Sequence, residues 1–155
     1  MRPVGVSQVV EIEQLLHRYC HVVDDREWDR LGELFLADAV FDVSAVGLPR
    51  HQGRDDIVAA WTGYDHPLAH HVLCTVVDGE DDDGVHVRSK SILVRDGKMT
   101  GGAYLDVVCA TEHGWQFRSR TYVERWAVVV GEAGIRRDRG SPAPRRLGPW
   151  IRIHH

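Results

Sequence analysis

The chain has 155 residues, 43% of them hydrophobic and 27% charged, with a formal net charge of −4. That composition excludes a disordered or fibrous chain, and no apolar run approaches the ~20 residues that span a bilayer. The length suits one domain with a core of its own. The opening MRPVGVSQVVEIEQ has no signal-peptide core, so a cytoplasmic location is expected. Cys20, Cys74 and Cys109 are far apart, form no C-x-x-C and sit in apolar segments, which reads as three buried thiols.

Residues 9–23 carry Val9, Ile12, Leu15, Leu16, Tyr19, Cys20 and Val23 at spacings of three and four, an amphipathic helix ending at Asp24-Asp25. Trp28, Leu31, Leu34 and Phe35 predict a second, short helix. Tyr19 and Asp24 are five residues apart, or roughly 140° around the axis. They serve one pocket only if it lies across the helix's C-terminal end. AVFDVSAVG (39–47) reads as a strand and RHQG (50–53) as a short return strand or turn. GRDDIVAAW (53–61) reads as a third helix with acidic residues in its first turn.

Four strand-like segments follow, at 70–77, 85–95, 101–111 and 115–126, and Asp-Gly or His-Gly links between them predict an antiparallel meander. Helices first and a meander afterwards give an α+β fold, one strongly curved sheet closing over the helices. The meander ends the domain at 126. Residues 127–155 hold six arginines against Glu132 and Asp138, a basic, Pro- and Gly-rich extension expected to dock on the acidic body or a neighbouring subunit rather than on nucleic acid. His154 and His155 receive no role.

Several residues carry a resemblance. They are Tyr19-x4-Asp24-x3-Trp28-x2-Leu31-x3-Phe35, His71 opening a strand, Gly101 to Tyr104, and Gly114-Trp115 followed by Arg118 and Arg120. In order and spacing, over residues 8–126, these resemble the SnoaL-like branch of the nuclear transport factor 2 (NTF2)-like superfamily. The resemblance implies a cone-shaped, curved antiparallel sheet wrapped around three N-terminal helices and a deep apolar cavity. Its members include scytalone dehydratase, bile-acid 7α-dehydratase, polyketide cyclases, ketosteroid isomerase and limonene epoxide hydrolase, together with proteins that have no catalysis, so fold alone does not give function.

On that resemblance Asp24 orients a histidine. His70 and His71 are neighbours on a strand and face opposite ways, and both faces are apolar, so the pattern leaves the choice open. The resemblance selects His71 as the base that takes a proton next to a carbonyl. Tyr19 would hold the carbonyl oxygen. Tyr104, Asp106, Arg118 and Arg120, with Trp28 and Trp61, are candidate substrate-binding residues; Arg118 and Arg120 are expected on one strand face. The sequence departs from the dehydratase members at Lys90, where the bile-acid enzyme has an acidic residue. It also lacks scytalone dehydratase's second strand histidine.

No metal is expected: Pro67 breaks any helix joining His66 to His70, and no H-E-x-x-H occurs. DGEDDDG lacks the alternation of a calcium loop and reads as a solvated hairpin turn. The expectation is a cofactor-free dehydratase, cyclase or isomerase of a small polyketide-, aromatic- or steroid-like substrate, assembled as a homodimer or homotrimer. The alternatives are an epoxide hydrolase built on an Asp-Arg-Asp set and a non-catalytic hydrophobe-binding module.

Overall fold

The computed structural model describes residues 1–131 and 134–137; residues 138–155, most of the basic extension, lie outside them. Helix α1 runs Val6–Asp24, α2 Trp28–Leu31 and α3 Arg54–Gly63. The strands are β1 (Phe35–Asp42), β2 (Arg50–Gln52), β3 (Ala69–Asp81), β4 (Gly84–Arg95), β5 (Lys98–Thr111), β6 (Gly114–Gly131) and β7 (Gly134–Arg137). They form one sheet in the order β2-β1-β6-β5-β4-β3, with β7 alongside β6. The sheet is curved and does not close on itself. The meander β3–β6 is antiparallel, as its turns require, while β1 lies parallel to β6.

The second helix is shorter than its apolar pattern suggests. It gives way to a 3-10 turn at Gly32–Leu34, and Phe35 already pairs with Phe117 of β6. Tertiary pairing overrides the helical spacing there. β1 stops at Asp42, whose carboxylate accepts the Ser44 N–H at 2.9 Å and turns the chain into the 3-10 segment Ser44–Val46. β6 continues through residue 126 to Gly131.

Helix α1 lays Ile12, Leu15, Leu16, Tyr19 and Val23 on the concave side of the sheet, where they meet Phe35, Phe41, Val85, Val108 and Phe117. Each such side chain contributes about 1.5–3 kcal/mol on leaving water. After α1, Arg26 takes a left-handed conformation (φ 60°), and its guanidinium bonds the carbonyls of Val23 (2.6 Å) and Pro67 (3.1 Å). The end of α1 is thereby tied to the segment that enters β3.

Bulges decide which way the later side chains face. On β3, Leu73 pairs with Lys90 but Val76 with Arg88, so one residue is extra, and Cys74 sits at φ 51°. His70 and Val72 face the core before the bulge and Val77 after it, while Leu73 and Val76 are exposed. On β6, Phe117 pairs with Val108 and Ser119 with Val107, leaving Arg118 as the extra residue. Of the cysteines, Cys20 alone is buried; Cys74 is exposed and Cys109 half-exposed, contrary to the expectation of three buried thiols.

Candidate active site

The curved sheet, α1, α3 and the segment 64–67 line a half-open cavity of about 120 Å³. Tyr19 and Tyr104 line its inner part, Phe41 and Trp61 one wall, Tyr64 and His66 another, and His70 opens onto it beside Tyr19.

The last residue of α1 and the start of β3 build the polar centre. Asp24 accepts the backbone N–H of His70 at 2.9 Å and 3.1 Å through its two oxygens, and the His70 ring Nδ1–H at 2.5 Å. With three hydrogen bonds to one residue, the carboxylate fixes both the position and the tautomer of the imidazole. In the neutral imidazole Nδ1 then carries the proton and Nε2 the lone pair. The His70 side chain is only 5% exposed and its ring meets Tyr19 edge-on, with centroids 6.2 Å apart.

His71 is therefore not the partner of Asp24. It is exposed on the convex side, opposite His70 in the pleat, and the imidazole-carboxylate pair is Asp24–His70. The two faces of β3 looked equally apolar because the bulge at Cys74 switches the core-facing parity halfway along the strand.

Tyr19 is buried beneath the cavity, and its hydroxyl oxygen accepts the Trp61 indole N–H at 3.0 Å. That leaves its own proton for an oxygen in the cavity. Burial pushes the Tyr19 phenol well above its ordinary range, with the nearby Arg120 charge pulling the other way. Tyr104 is pushed up for the same first reason, desolvation.

Arg120 and Asp106 face each other across β5 and β6, both fully buried, with Arg120 Nε and Asp106 Oδ1 3.3 Å apart. The guanidinium lies under the rings of Tyr104 (3.9 Å), Tyr19 (4.2 Å) and Phe117 (4.5 Å). It is a cation behind the aromatic floor, not a wall of the cavity. Burial raises Asp106 to about 7 against the pull of Arg120. Arg118, displaced by the bulge, is exposed and donates to Cys109 Sγ at 3.2 Å. The two arginines do not share a face, and Asp106, Arg118 and Arg120 form no Asp-Arg-Asp set around the cavity.

Trp61 lines the cavity. Trp28 does not; it stacks behind His66 at 5.1 Å between centroids. His66 Nε2–H donates to the Trp61 carbonyl at 2.6 Å, and burial holds its pKa below the usual histidine value. Lys90 is exposed, with the buried Ser89 and Ser91 on the concave side in its place.

Sequence reasoning gave no part in catalysis to His70, Tyr64 and His66 of this cavity, nor to His51, which stands behind Tyr64. His70 was one of two open choices. Tyr64 and His66 fell in a stretch that reads only as a loop, and His51 in a three-residue strand. The available signal was the Tyr-x-His following Trp61 at the end of an amphipathic helix.

The model of the SnoaL-like domain matches residues 6–121, and the chain belongs to that family, within the NTF2-like superfamily. Among solved structures it is similar to a provisionally assigned aromatic ring hydroxylase from Novosphingobium aromaticivorans (25% identity, TM-score 0.69, covering 88% of this chain and 96% of that one). It is also similar to a provisionally assigned scytalone dehydratase from the same organism (19% identity, TM-score 0.70, 92% and 97% covered). A third, an NTF2-like protein with a cystatin-like fold from that organism, has 23% identity and a TM-score of 0.64, with 77% and 82% covered. The latter two likenesses are of fold alone. No curated protein matches the chain.

Proposed function

We propose that the protein is an acid–base enzyme that removes a proton next to a carbonyl, with His70 as base, Asp24 as its orienting carboxylate and Tyr19 as the donor to the carbonyl oxygen. The observation that carries this is the Asp24–His70 pair, buried at the cavity and set with the Nε2 lone pair free. As His70 takes the α-proton it becomes an imidazolium held by Asp24. The charge that builds on the carbonyl oxygen falls on the Tyr19 hydroxyl, above the Arg120 cation. Loss of a β-hydroxyl from the resulting enolate is dehydration; return of the proton elsewhere is isomerisation.

The cavity volume, about 120 Å³, is close to the ~150 Å³ that holds one benzene ring. A single-ring ketone fits within it. The test is exchange of the α-protons of cyclohexanone in D2O, followed by NMR. Wild type and His71→Ala are expected to exchange at similar rates, and His70→Ala to lose about 10²–10⁴-fold. Equal loss in both histidine variants would remove His70 from the role. Binding of the ketone without exchange would make the protein a ligand-binding module.

A further inference from the structure

A second imidazole–carboxylate pair stands behind Tyr64, one of the residues that line the same cavity. His51, the central residue of β2, pairs with Phe41 of β1 and is 6% exposed. Its Nδ1 lies 3.1 Å from Asp56 Oδ2 in the first turn of α3, and its Nε2 lies 2.8 Å from the hydroxyl of Tyr64 just beyond α3. The Gln52 backbone N–H, at 3.1 Å, binds the same Asp56 oxygen and holds the carboxylate towards β2. Tyr64 lines the cavity at one end of this chain of bonds. Asp56, with its side chain 54% exposed, meets solvent at the other.

Between the two systems stands Trp61. Its ring meets His51 edge-on (5.7 Å) and Tyr64 (5.6 Å), and its indole N–H is committed to Tyr19. The cavity therefore has a carbonyl-side group, Tyr19, and a separately wired hydroxyl, Tyr64. Elimination of water from a β-hydroxy ketone needs two proton movements. One takes the α-proton, and the other delivers a proton to the departing oxygen. His70, with Nδ1–H bound to Asp24, is equipped for the first.

We propose that Tyr64 is the acid for the second, recharged through His51 and Asp56, which makes the site a dehydratase of single-ring β-hydroxy ketones. This rests on the His70 reading above. With His51 protonated on both nitrogens, Nε2–H points at Tyr64 and the tyrosine proton turns to the cavity. That proton passes to the β-oxygen as the C–O bond breaks; the bond's electrons leave with the oxygen, and water departs. The enolate electrons form the new C=C bond and the carbonyl is restored. Tyr64 recovers a proton from His51 Nε2. His51 is reprotonated from solvent, and the α-proton on His70 is released to solvent. Tyr64 is the catalytic residue of this relay, and His51 and Asp56 are positioning residues that act through it.

Two probes separate the steps: α-exchange of cyclohexanone in D2O, and conversion of 3-hydroxycyclohexanone to 2-cyclohexenone, followed by ultraviolet absorbance. The same elimination from 3-acetoxycyclohexanone, whose acetate departs without a proton, serves as the leaving-group control. Tyr64→Phe is expected to lower water elimination about 100-fold more than it lowers exchange or acetate elimination. His51→Gln should lose water elimination in the same selective way, with melting curves confirming that both variants fold. If Tyr64→Phe lowers all three rates equally, or none, the relay is overturned while the His70 reading stands. If wild type shows no exchange at all, both are overturned.

Discussion

Asp24 spends three hydrogen bonds on His70, and the consequence of altering it is specific. In Asp24→Asn the amide can present its NH2 to Nδ1, which moves the ring proton to Nε2 and removes the lone pair the reaction needs. A fall in kcat of about 10²–10⁴ is expected with little change in melting temperature, measured by α-exchange and calorimetry side by side. Asp24 stood out in the sequence because its place at the helix end, four before Trp28, resembles the helix-end aspartate of the family's dehydratases; spacing alone reads equally as a solvated helix terminus. The choice between His70 and His71 was not, since it turns on one extra residue further along the strand.

The strands depend on close approaches that a side chain would block. Across the register shift between Gly101 and Gly102, a Cβ on Gly102 would stand 2.5 Å from the Val123 carbonyl oxygen and 2.7 Å from the Tyr122 ring. The carbonyl belongs to the neighbouring strand and cannot step aside without breaking the ladder. Gly102→Ala is expected to cost about 1–3 kcal/mol, read from urea unfolding, and to disturb Tyr122 at the cavity as well. Helices α1 and α3 and all four strands of the meander were legible from periodicity and turn residues. The bulges that send Arg118 outward and Arg120 inward were not, because a bulge is set by the pairing partner rather than by the strand's own pattern.

At the scale of the whole molecule, the Asp106–Arg120 pair ties stability to pH. An unfolded Asp106 gives up its proton near 3.8, whereas burial holds it in the folded chain to about 7. Between those values the folded state binds more protons, so stability falls as pH rises from about 4 to 7 and levels off above. Asp106→Asn is expected to remove that contribution, flattening the difference between denaturation curves at pH 5 and pH 8 by more than about 1 kcal/mol. Arg120→Met, which leaves the buried carboxylate without its counter-charge, should destabilise by about 3–5 kcal/mol at pH 8 and by less at pH 5, where Asp106 is neutral.

The sequence by itself determined the α+β order of elements and the inward face of α1, and its resemblance pointed to the family and to the aspartate at that helix's end. The order and the face follow from local spacing and turn chemistry, which each segment carries within itself. Tertiary structure alone decided that His70 meets Asp24, that Arg120 is sealed under Tyr19 and Tyr104, and that His51 joins Asp56 to Tyr64. Each of these contacts crosses between elements. The crossing is fixed by bulges, by the parallel pairing of β1 with β6 and by the anchoring of α1 through Arg26, none of which is written in any one segment's pattern.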